Sequence, residues 1–142
     1  MGDGRDQSYW REIYRQYQYP CYYYQYLACV VRVLKAKQVI EIGADRGASA
    51  IMMASEGAQV YSIDTRDGWE YVKDHPKVHK VKGDSLNVEE ILQAKISDIK
   101  KTNLWLIDGL HTYEQVKKEI ELYQKYFLSG TVILLDDVDE YK

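Results

Sequence analysis

Acidic residues and a histidine in the last third of the chain have the types and spacing of a chemical site. Asp108 and His111 are close in sequence, and Asp136 and Asp137 are adjacent at the end of an apolar run. Three carboxylates at neighbouring strand ends can supply half of an octahedral oxygen shell, which suits Mg²⁺. A hydroxyl bound to such an ion is acidified, and a nearby imidazole can take its proton as a general base. We predict Asp108, Asp136 and Asp137 as metal ligands and His111, with Asp108, as catalytic residues.

The same residues also have a structural interpretation, which the sequence alone leaves open. Asp108 can cap a turn, and His111 can simply precede a helix that begins after Thr112. Asp136 and Asp137 can form a solvated strand end. Neither interpretation excludes the other at this stage.

A second candidate site lies in the segment from Glu41 to Ser49, which follows an apolar run and opens a helical pattern. Gly43 lets the chain turn sharply, and Gly47 lets the backbone approach a ligand without a side chain in the way. The segment lacks the Lys-Ser/Thr pair of a phosphate-binding loop, so we do not expect a triphosphate site. The carboxylate of Glu41 would repel a pyrophosphate, but it suits a cationic ligand that carries an amino group.

Acidic residues recur at the ends of the apolar runs. Asp64 ends the run that follows the glycine segment, where a carboxylate can accept both hydroxyls of a ribose. The acidic residues at the ends of the apolar runs are Asp64, Asp84, Asp108 and Asp136. Because ligands bind at the carboxyl ends of the strands in an open parallel sheet, these acids are expected to line one crevice.

The elements that must position these residues follow from short apolar runs that alternate with helical patterns. The predicted strands are 39–43, 60–64, 78–84, 104–108 and 131–137, and the predicted helices include 8–18, 22–35, 88–99 and 113–128. We expect caps at Asn87 and Thr112, and Gly130 at a helix C-terminus. Right-handed crossovers give a Rossmann-like, doubly wound α/β sheet of about five parallel strands in the order 3-2-1-4-5.

The composition limits the class of protein. The 142 residues suffice for a single domain, with N-terminal helices over 1–37 and a Rossmann-like core over 38–142. No apolar run approaches the about 20 residues that span a bilayer, and no signal-peptide pattern is present, so we expect a cytoplasmic protein without a membrane partner. The net charge of −3, with scattered Lys and Arg, argues against nucleic acid as a partner.

Tyrosines are concentrated near the N-terminus, between Tyr9 and Tyr26. Such a cluster on amphipathic helices predicts helix packing or a subunit interface. An aromatic lid over a ligand is the alternative interpretation.

The segment EIGADRGASA resembles motif I of class I S-adenosylmethionine-dependent methyltransferases. Its form is similar to that of cephalosporin-hydroxylase-like proteins and macrolide sugar O-methyltransferases, and the segments VYSIDT, KGDS, LIDGLHTYEQVKKEI and GTVILLDD follow in the same order. The resemblance covers roughly residues 25–138. It implies S-adenosylmethionine as the cofactor and Mg²⁺ as a second ligand, because the matching acids of the sugar enzymes hold magnesium and the matching histidine is a candidate base.

The resemblance also implies roles for individual residues. Glu41, Gly43, Ala44 and Ser49 would surround the methionine part of the cofactor, Asp64 would bind the ribose, and Asp84 with Ser85 would lie by the adenine. The complete cofactor-binding set is Glu41, Gly43, Ala44, Gly47, Ser49, Asp64, Thr65, Asp84, Ser85 and Asp108.

The chain ends at Lys142, whereas this family usually continues with two further strands. We therefore expect a sheet that lacks them and a homo-oligomer or another segment that covers the edge of the fifth strand. The predicted function is methylation of a small hydroxylated substrate, with a sugar as one candidate. The alternative is a non-catalytic S-adenosylmethionine-binding or assembly module derived from a methyltransferase. A nucleotide-binding oxidoreductase is a weaker hypothesis, because G-x-G-x-x-G is missing and Glu41 is acidic.

Overall fold

The computed structural model describes residues 22–136, so the predicted helix 8–18 and Asp137 lie outside the described residues. The helices are α1 (Tyr22–Leu34), α2 (Ala48–Ser55), α3 (Glu89–Lys95) and α4 (Tyr113–Tyr123), with 3₁₀ turns at Ile99–Lys101 and Gln124–Tyr126. The strands are β1 (Gln38–Ile42), β2 (Gln59–Asp64), β3 (Val78–Lys82), β4 (Leu104–Ile107) and β5 (Val132–Leu135). Within residues 22–136, no helix has the length and apolar character needed to cross a membrane.

The strands form one parallel sheet in the order β3-β2-β1-β4-β5, as the sequence predicts. The central strand β1 pairs with β2 and β4, so that Ile40 lies beside Tyr61 on one side and Trp105 on the other. Because all the strands run in the same direction, their carboxyl ends lie along a single edge of the sheet. That edge carries the loops in which the candidate residues are found.

Both faces of the sheet are covered, which explains why its central strands are almost continuously apolar. On one face α1 and α2 pack over Val39, Val60 and Leu104. On the opposite face α3 and α4 pack over Ile40, Ile63 and Trp105. All the side chains of α2 are buried, which its sequence ASAIMMAS allows, because it lies between α1 and the sheet.

The structure corrects the predicted helix 88–99. The helix ends at Lys95, Ile96 is extended, and Asp98 caps a separate 3₁₀ turn by accepting a hydrogen bond from the Lys100 N–H at 3.0 Å. The cap at Asn87 is also wrong, since Val88 holds the N-cap position without a side-chain hydrogen bond. The local turn that Asp98 stabilises ends the helix earlier than its apolar spacing suggests.

The fourth helix begins as predicted and ends earlier. The Thr112 hydroxyl accepts a hydrogen bond from the Gln115 N–H at 3.3 Å, which confirms the predicted cap. The helix then tightens into the 3₁₀ turn after Tyr123. Gly130 does not cap it: with a φ of 89° it belongs to the turn before β5, where the Thr131 N–H donates to the Leu128 carbonyl at 3.0 Å.

Candidate functional site

A cavity of about 710 Å³ lies at the carboxyl ends of the strands, within the size range of small-molecule sites. The residues that line it come from α1 and from the segments after all five strands. Those predicted from the sequence are Gly43, Ala44, Ser49, Asp64, Thr65, Asp84, Ser85, Asp108, His111 and Asp136. The predicted crevice therefore exists. It brings together the two candidate sites, which are far apart in the sequence.

The loop after β1 needs a glycine at its first position. Gly43 has a φ of +91°, and a Cβ atom there would lie 1.9 Å from the Asp108 carbonyl oxygen. The Gly43 N–H donates to the Ile63 carbonyl at 2.9 Å, and the Asp108 N–H donates to the Ile42 carbonyl at 2.8 Å. The absence of a side chain at Gly43 thus allows the segments after β1 and β4 to meet at the cavity wall.

Gly47 allows a close approach between two parts of the chain. It holds the N-cap position of α2 with a φ of +85°, and its close neighbours are Trp69 and Val72, whose Cγ2 atom would lie 2.5 Å from an added Cβ. It is not among the residues that line the cavity. The close approach that Gly47 allows in the structure is therefore to the segment after β2, and its approach to a ligand stays a prediction.

Asp64 holds the loop after β1 in place. Its Oδ2 atom accepts hydrogen bonds from the N–H groups of Ala44 and Asp45 at 3.0 and 2.9 Å, and its Oδ1 atom accepts one from the Arg66 N–H at 2.9 Å. Burial opposes the ionised form, but these backbone donors and the Arg66 guanidinium outweigh it and lower the pKa of Asp64. The carboxylate at the end of β2 is thus ionised and fixed at the cavity wall.

Glu41 is buried beneath the loop and does not line the cavity. Its side chain is 0% exposed and accepts hydrogen bonds from the hydroxyls of Ser49 and Ser62, the latter at 2.6 Å. The indole N–H of Trp69 donates in turn to the Ser62 hydroxyl at 2.9 Å. Burial raises the pKa of Glu41 to about 7. The predicted contact between Glu41 and a ligand is corrected accordingly: Ser49 faces the cavity, and Glu41 supports it from behind.

At the opposite wall, Ser85 belongs to a buried polar cluster. The Ser85 hydroxyl donates to Glu119 Oε1, which also accepts a hydrogen bond from the Gln115 amide at 3.1 Å. Glu119 and Gln115 line the cavity, and the sequence analysis did not identify either. A signal was available, because Glu119 lies on the face of α4 that carries Val116, Ile120 and Tyr123, where a charged residue is unusual.

The candidate chemical residues lie together on one side of the cavity. His111 Nε2 is 3.8 Å from Asp108 Oδ1, and the Tyr23 hydroxyl donates to Asp108 Oδ2 at 3.5 Å. Burial, followed by the nearby carboxylates of Asp108 and Asp136, raises the pKa of Tyr23, so its phenol stays neutral. Tyr23 and Tyr24, from the tyrosine-rich segment, also line this cavity.

The predicted metal site is represented by two of its three acids. Asp108 and Asp136 line the same cavity, and Asp137 lies outside the described residues. Across residues 22–136, no three side chains of His, Cys, Asp or Glu are grouped closely enough to hold a metal ion.

The comparisons with known proteins agree with the observed fold. A family model described as a methyltransferase domain matches residues 40–138. No curated protein matches the chain. Similar solved structures include a protein assigned as a caffeoyl-CoA O-methyltransferase from Staphylococcus aureus, with a TM-score of 0.72 and 20% identity over 92% of this chain and 66% of that one.

Two further structures were solved with ligands. The O-methyltransferase from Bacillus cereus in complex with S-adenosylhomocysteine (SAH) has a TM-score of 0.69 and 15% identity, over 100% of this chain and 74% of that one. The MycE methyltransferase of mycinamycin biosynthesis, in complex with Mg, SAH and mycinamycin VI, has a TM-score of 0.64 and 19% identity, over 80% of this chain and 33% of that one. The present chain thus spans only part of the length of these proteins.

The family match extends from β1 to β5 and includes the cavity segments that follow these strands. The parallel sheet, with its order β3-β2-β1-β4-β5, has the architecture that the resemblance implies. The chain therefore belongs to the methyltransferase domain family, in its class I, S-adenosylmethionine-dependent form.

Proposed function

We propose that this chain transfers a methyl group from S-adenosylmethionine to a hydroxyl group of a small molecule, with a sugar as one candidate. The observation that carries the proposal is that one cavity is lined both by the loop that Asp64 holds and by Asp108 and His111. A cofactor site without a neighbouring base would support binding only. A shared cavity supports a reaction between two bound ligands.

The cavity suits the cofactor in volume and in polar groups. At about 710 Å³ it lies within the range of small-molecule sites. Asp64 accepts three backbone N–H groups, whereas a carboxylate has about four lone-pair sites, so one site remains for a hydroxyl of a ribose. Ser49 and Ser85 offer hydroxyls on opposite sides of the sheet. The bound cofactor would supply an electrophilic methyl group on a positively charged sulfur.

The residues beside the proposed cofactor position can accept the proton that the acceptor hydroxyl loses. His111 is partly exposed in the cavity wall, and an acceptor hydroxyl within hydrogen-bond reach can give its proton to the imidazole. The Asp108 carboxylate, 3.8 Å from His111 Nε2, would stabilise the imidazolium that forms. The neutral Tyr23 phenol donates to the other Asp108 oxygen and so helps to fix its orientation.

We propose Asp108 and Asp136 as the residues that would hold Mg²⁺. Proteins often bind this ion through one or two carboxylates, with water and substrate oxygens completing the shell. Both acids line the cavity beside His111, and the similar MycE structure contains Mg. The ion, when bound, would lower the pKa of a substrate hydroxyl. Asp137 is the proposed third ligand.

We also propose that the chain forms one domain and a homo-oligomer. In the described part of the chain, β5 is at the edge of the sheet, and its Ile133 and Leu135 are 36% and 41% exposed. An apolar edge strand favours pairing with a second copy. Sedimentation equilibrium tests this, and a monomer at all concentrations would contradict it.

Calorimetric titration with SAH tests the cofactor site. We expect the wild-type protein to bind SAH and Asp64→Asn to bind it at least about tenfold more weakly, because the amide lacks one acceptor oxygen. Asp67→Asn is the matched control, because Asp67 is an exposed acid paired with Lys82. Absence of SAH binding by the wild-type protein at millimolar concentration would overturn the proposal.

Transfer of a labelled methyl group to a panel of sugars and other hydroxylated compounds tests the reaction. We expect His111→Ala to lose transfer while SAH still binds, because the imidazole acts on the acceptor. Binding of SAH without transfer to any acceptor would instead support the non-catalytic binding module.

A further inference from the structure

A chain of hydrogen bonds leads from the segment after β2 to the cavity. The indole N–H of Trp69 donates to the Ser62 hydroxyl at 2.9 Å, and the Ser62 hydroxyl contacts Glu41 Oε2 at 2.6 Å. The other carboxyl oxygen of Glu41, Oε1, is hydrogen-bonded to the Ser49 hydroxyl. Glu41 is 0% exposed, whereas Ser49 is 6% exposed and lines the cavity. Ser49 is therefore the member of this chain that a ligand can contact.

The number of protons in the chain decides what Ser49 offers to a ligand. An indole N–H can only donate, so Ser62 accepts from Trp69 and uses its single hydroxyl proton for Glu41. When Glu41 is ionised, Ser49 donates its own proton to Oε1 and presents only lone pairs to the cavity. When Glu41 is protonated, its O–H can donate to Ser49, and the Ser49 hydroxyl can then donate to a ligand.

The position of Ser49 on α2 favours a negatively charged ligand group. Ser49 is the second residue of the helix, and Gly47 at the N-cap has no side chain that could cap the first turn. The first N–H groups of a helix have no acceptor within it, and together with the helix dipole they attract anions. Ala48 and Ser49 both line the cavity. In the proposed cofactor, the matching group is the carboxylate of its methionine part.

The charges around Glu41 oppose its ionisation when such a carboxylate binds. Burial, followed by the nearby ionised Asp64 on β2, raises the pKa of Glu41 to about 7. The Tyr23 phenol on α1 is neutral, and the indole of Trp69 carries no charge. A ligand carboxylate at Ser49 would add a further negative charge close to Glu41. Like charges disfavour each other, so the protonated form of Glu41 gains in the complex.

We propose that Glu41 is a positioning residue that acts through Ser49: it takes up a proton as the cofactor binds, so that the Ser49 hydroxyl can donate to the carboxylate of the cofactor. This inference rests on the proposed function. The proton comes from solvent and is bound at Oε1 of Glu41, whose O–H then donates to Ser49. No other bond forms or breaks.

Calorimetric titration with SAH in buffers of different ionisation enthalpy counts the protons that accompany binding. SAH has the same methionine part as the proposed cofactor. At about pH 8, Glu41 is mostly ionised in the free protein, so about one proton should be taken up for each SAH bound. At about pH 5.5 it is already protonated and uptake should vanish. The affinity for SAH should fall about tenfold between about pH 6 and pH 8.

Glu41→Gln reproduces the protonated form, because its amide oxygen can accept from Ser62 and its N–H group can donate to Ser49. The variant should bind SAH with similar affinity at both pH values and take up about one proton fewer than the wild-type protein at about pH 8. His111 and the amino group of SAH are present in both titrations and cancel. A purely structural role of Glu41 would weaken binding in the variant at every pH.

Glu90→Gln is the matched control, because Glu90 is exposed and is not part of the cavity. It should keep the pH profile of the wild-type protein. Protons are counted for each bound ligand, so a partly unfolded fraction of a variant does not alter their number.

Equal proton uptake by the wild-type protein and Glu41→Gln, with normal binding of SAH, would overturn the role of Glu41 and leave the proposed function standing. Release of a proton by the wild-type protein would overturn it as well, since Ser49 would then accept from the ammonium group of the ligand. If the wild-type protein binds no SAH at any pH, the inference and the proposed function fail together.

Discussion

Gly43 and Asp108 are in such close contact that a Cβ atom on residue 43 would lie 1.9 Å from the Asp108 carbonyl oxygen. Gly43 begins the loop that Asp64 holds, and Asp108 begins the segment that carries His111. The contact therefore connects the proposed cofactor half of the cavity directly to the proposed acceptor half. The contribution of this contact to the free energy of unfolding is the first quantity to test.

Gly43→Ala should lower the free energy of unfolding by about 3 kcal/mol or more. The left-handed conformation costs an L residue about 1–2 kcal/mol, and forcing a methyl group into packed atoms adds about 1–3 kcal/mol. Urea unfolding measures the difference. Gly130→Ala is the control, because Gly130 has a φ of +89° and nothing within 4 Å of an added Cβ. Equal losses in the two variants would show that crowding at Asp108 is unimportant.

Glu41→Gln should remove a pH dependence of stability. The pKa of Glu41 is about 7 in the folded protein and about 4.5 in the unfolded chain, because burial disfavours its charge. The folded state thus binds more protons than the unfolded state between these values. The contribution of Glu41 is fully present below pH 4.5 and is lost as the pH rises through 7. The variant removes this loss.

The measurement is the difference in unfolding free energy between Glu41→Gln and the wild-type protein at several pH values. That difference should shift in favour of the variant by roughly 3 kcal/mol between about pH 4 and pH 8. Exposed acids titrate alike in both proteins and cancel. A difference that does not change with pH would contradict the burial of an ionisable group at this position.

Thr112→Ala should destabilise the protein by about 1 kcal/mol, because the hydroxyl that accepts the Gln115 N–H is lost. Thermal unfolding measures the change. Thr112→Ser keeps the hydroxyl and should lose much less. If both variants lose the same stability, the cap does not account for the start of α4.

Millimolar Mg²⁺ should raise the thermal unfolding temperature of the wild-type protein, because an ion that binds only the folded state stabilises it. The double variant Asp108→Asn, Asp136→Asn should lose this shift, since both proposed ligands become weaker donors. Asp74→Asn changes an exposed acid that is not part of the cavity and should keep it. A shift that persists in the double variant would place the ion elsewhere.

The sequence predicts the sheet well because strand order in this fold follows from apolar runs and right-handed crossovers. It predicts helix ends poorly. Apolar spacing continues through Ile96 and Ile99, yet the Asp98 side chain stabilises a separate turn between α3 and β4. A hydrogen bond between residues that are close in sequence thus overrides the apolar periodicity. The apolar periodicity carries no information about such a hydrogen bond.

The residues of the candidate site likewise divide into those that the sequence predicts and those that it does not. Strand-end acids such as Asp64, Asp84 and Asp108 are predictable, because a parallel sheet places them along one edge. The burial of Glu41 is not predictable, because it depends on Ser49 and Ser62, which belong to other elements and donate hydrogen bonds to its carboxylate. Glu119 is predictable in part: its place on the apolar face of α4 can be read from the sequence, but its partner Ser85 is distant in sequence, and only the fold brings the two together.

The helix α1 precedes the region that the family model matches, yet it contributes Leu27 and Val31 to the core and Tyr23 to the cavity wall. A fragment cut at residue 40 would expose the outer surface of α2 to water and leave the cavity open beside Asp108. The unit that folds and the segment that identifies the family thus have different boundaries. The segment that the family model matches carries Asp64, Asp108 and His111, and a helix outside that segment completes the wall of their cavity.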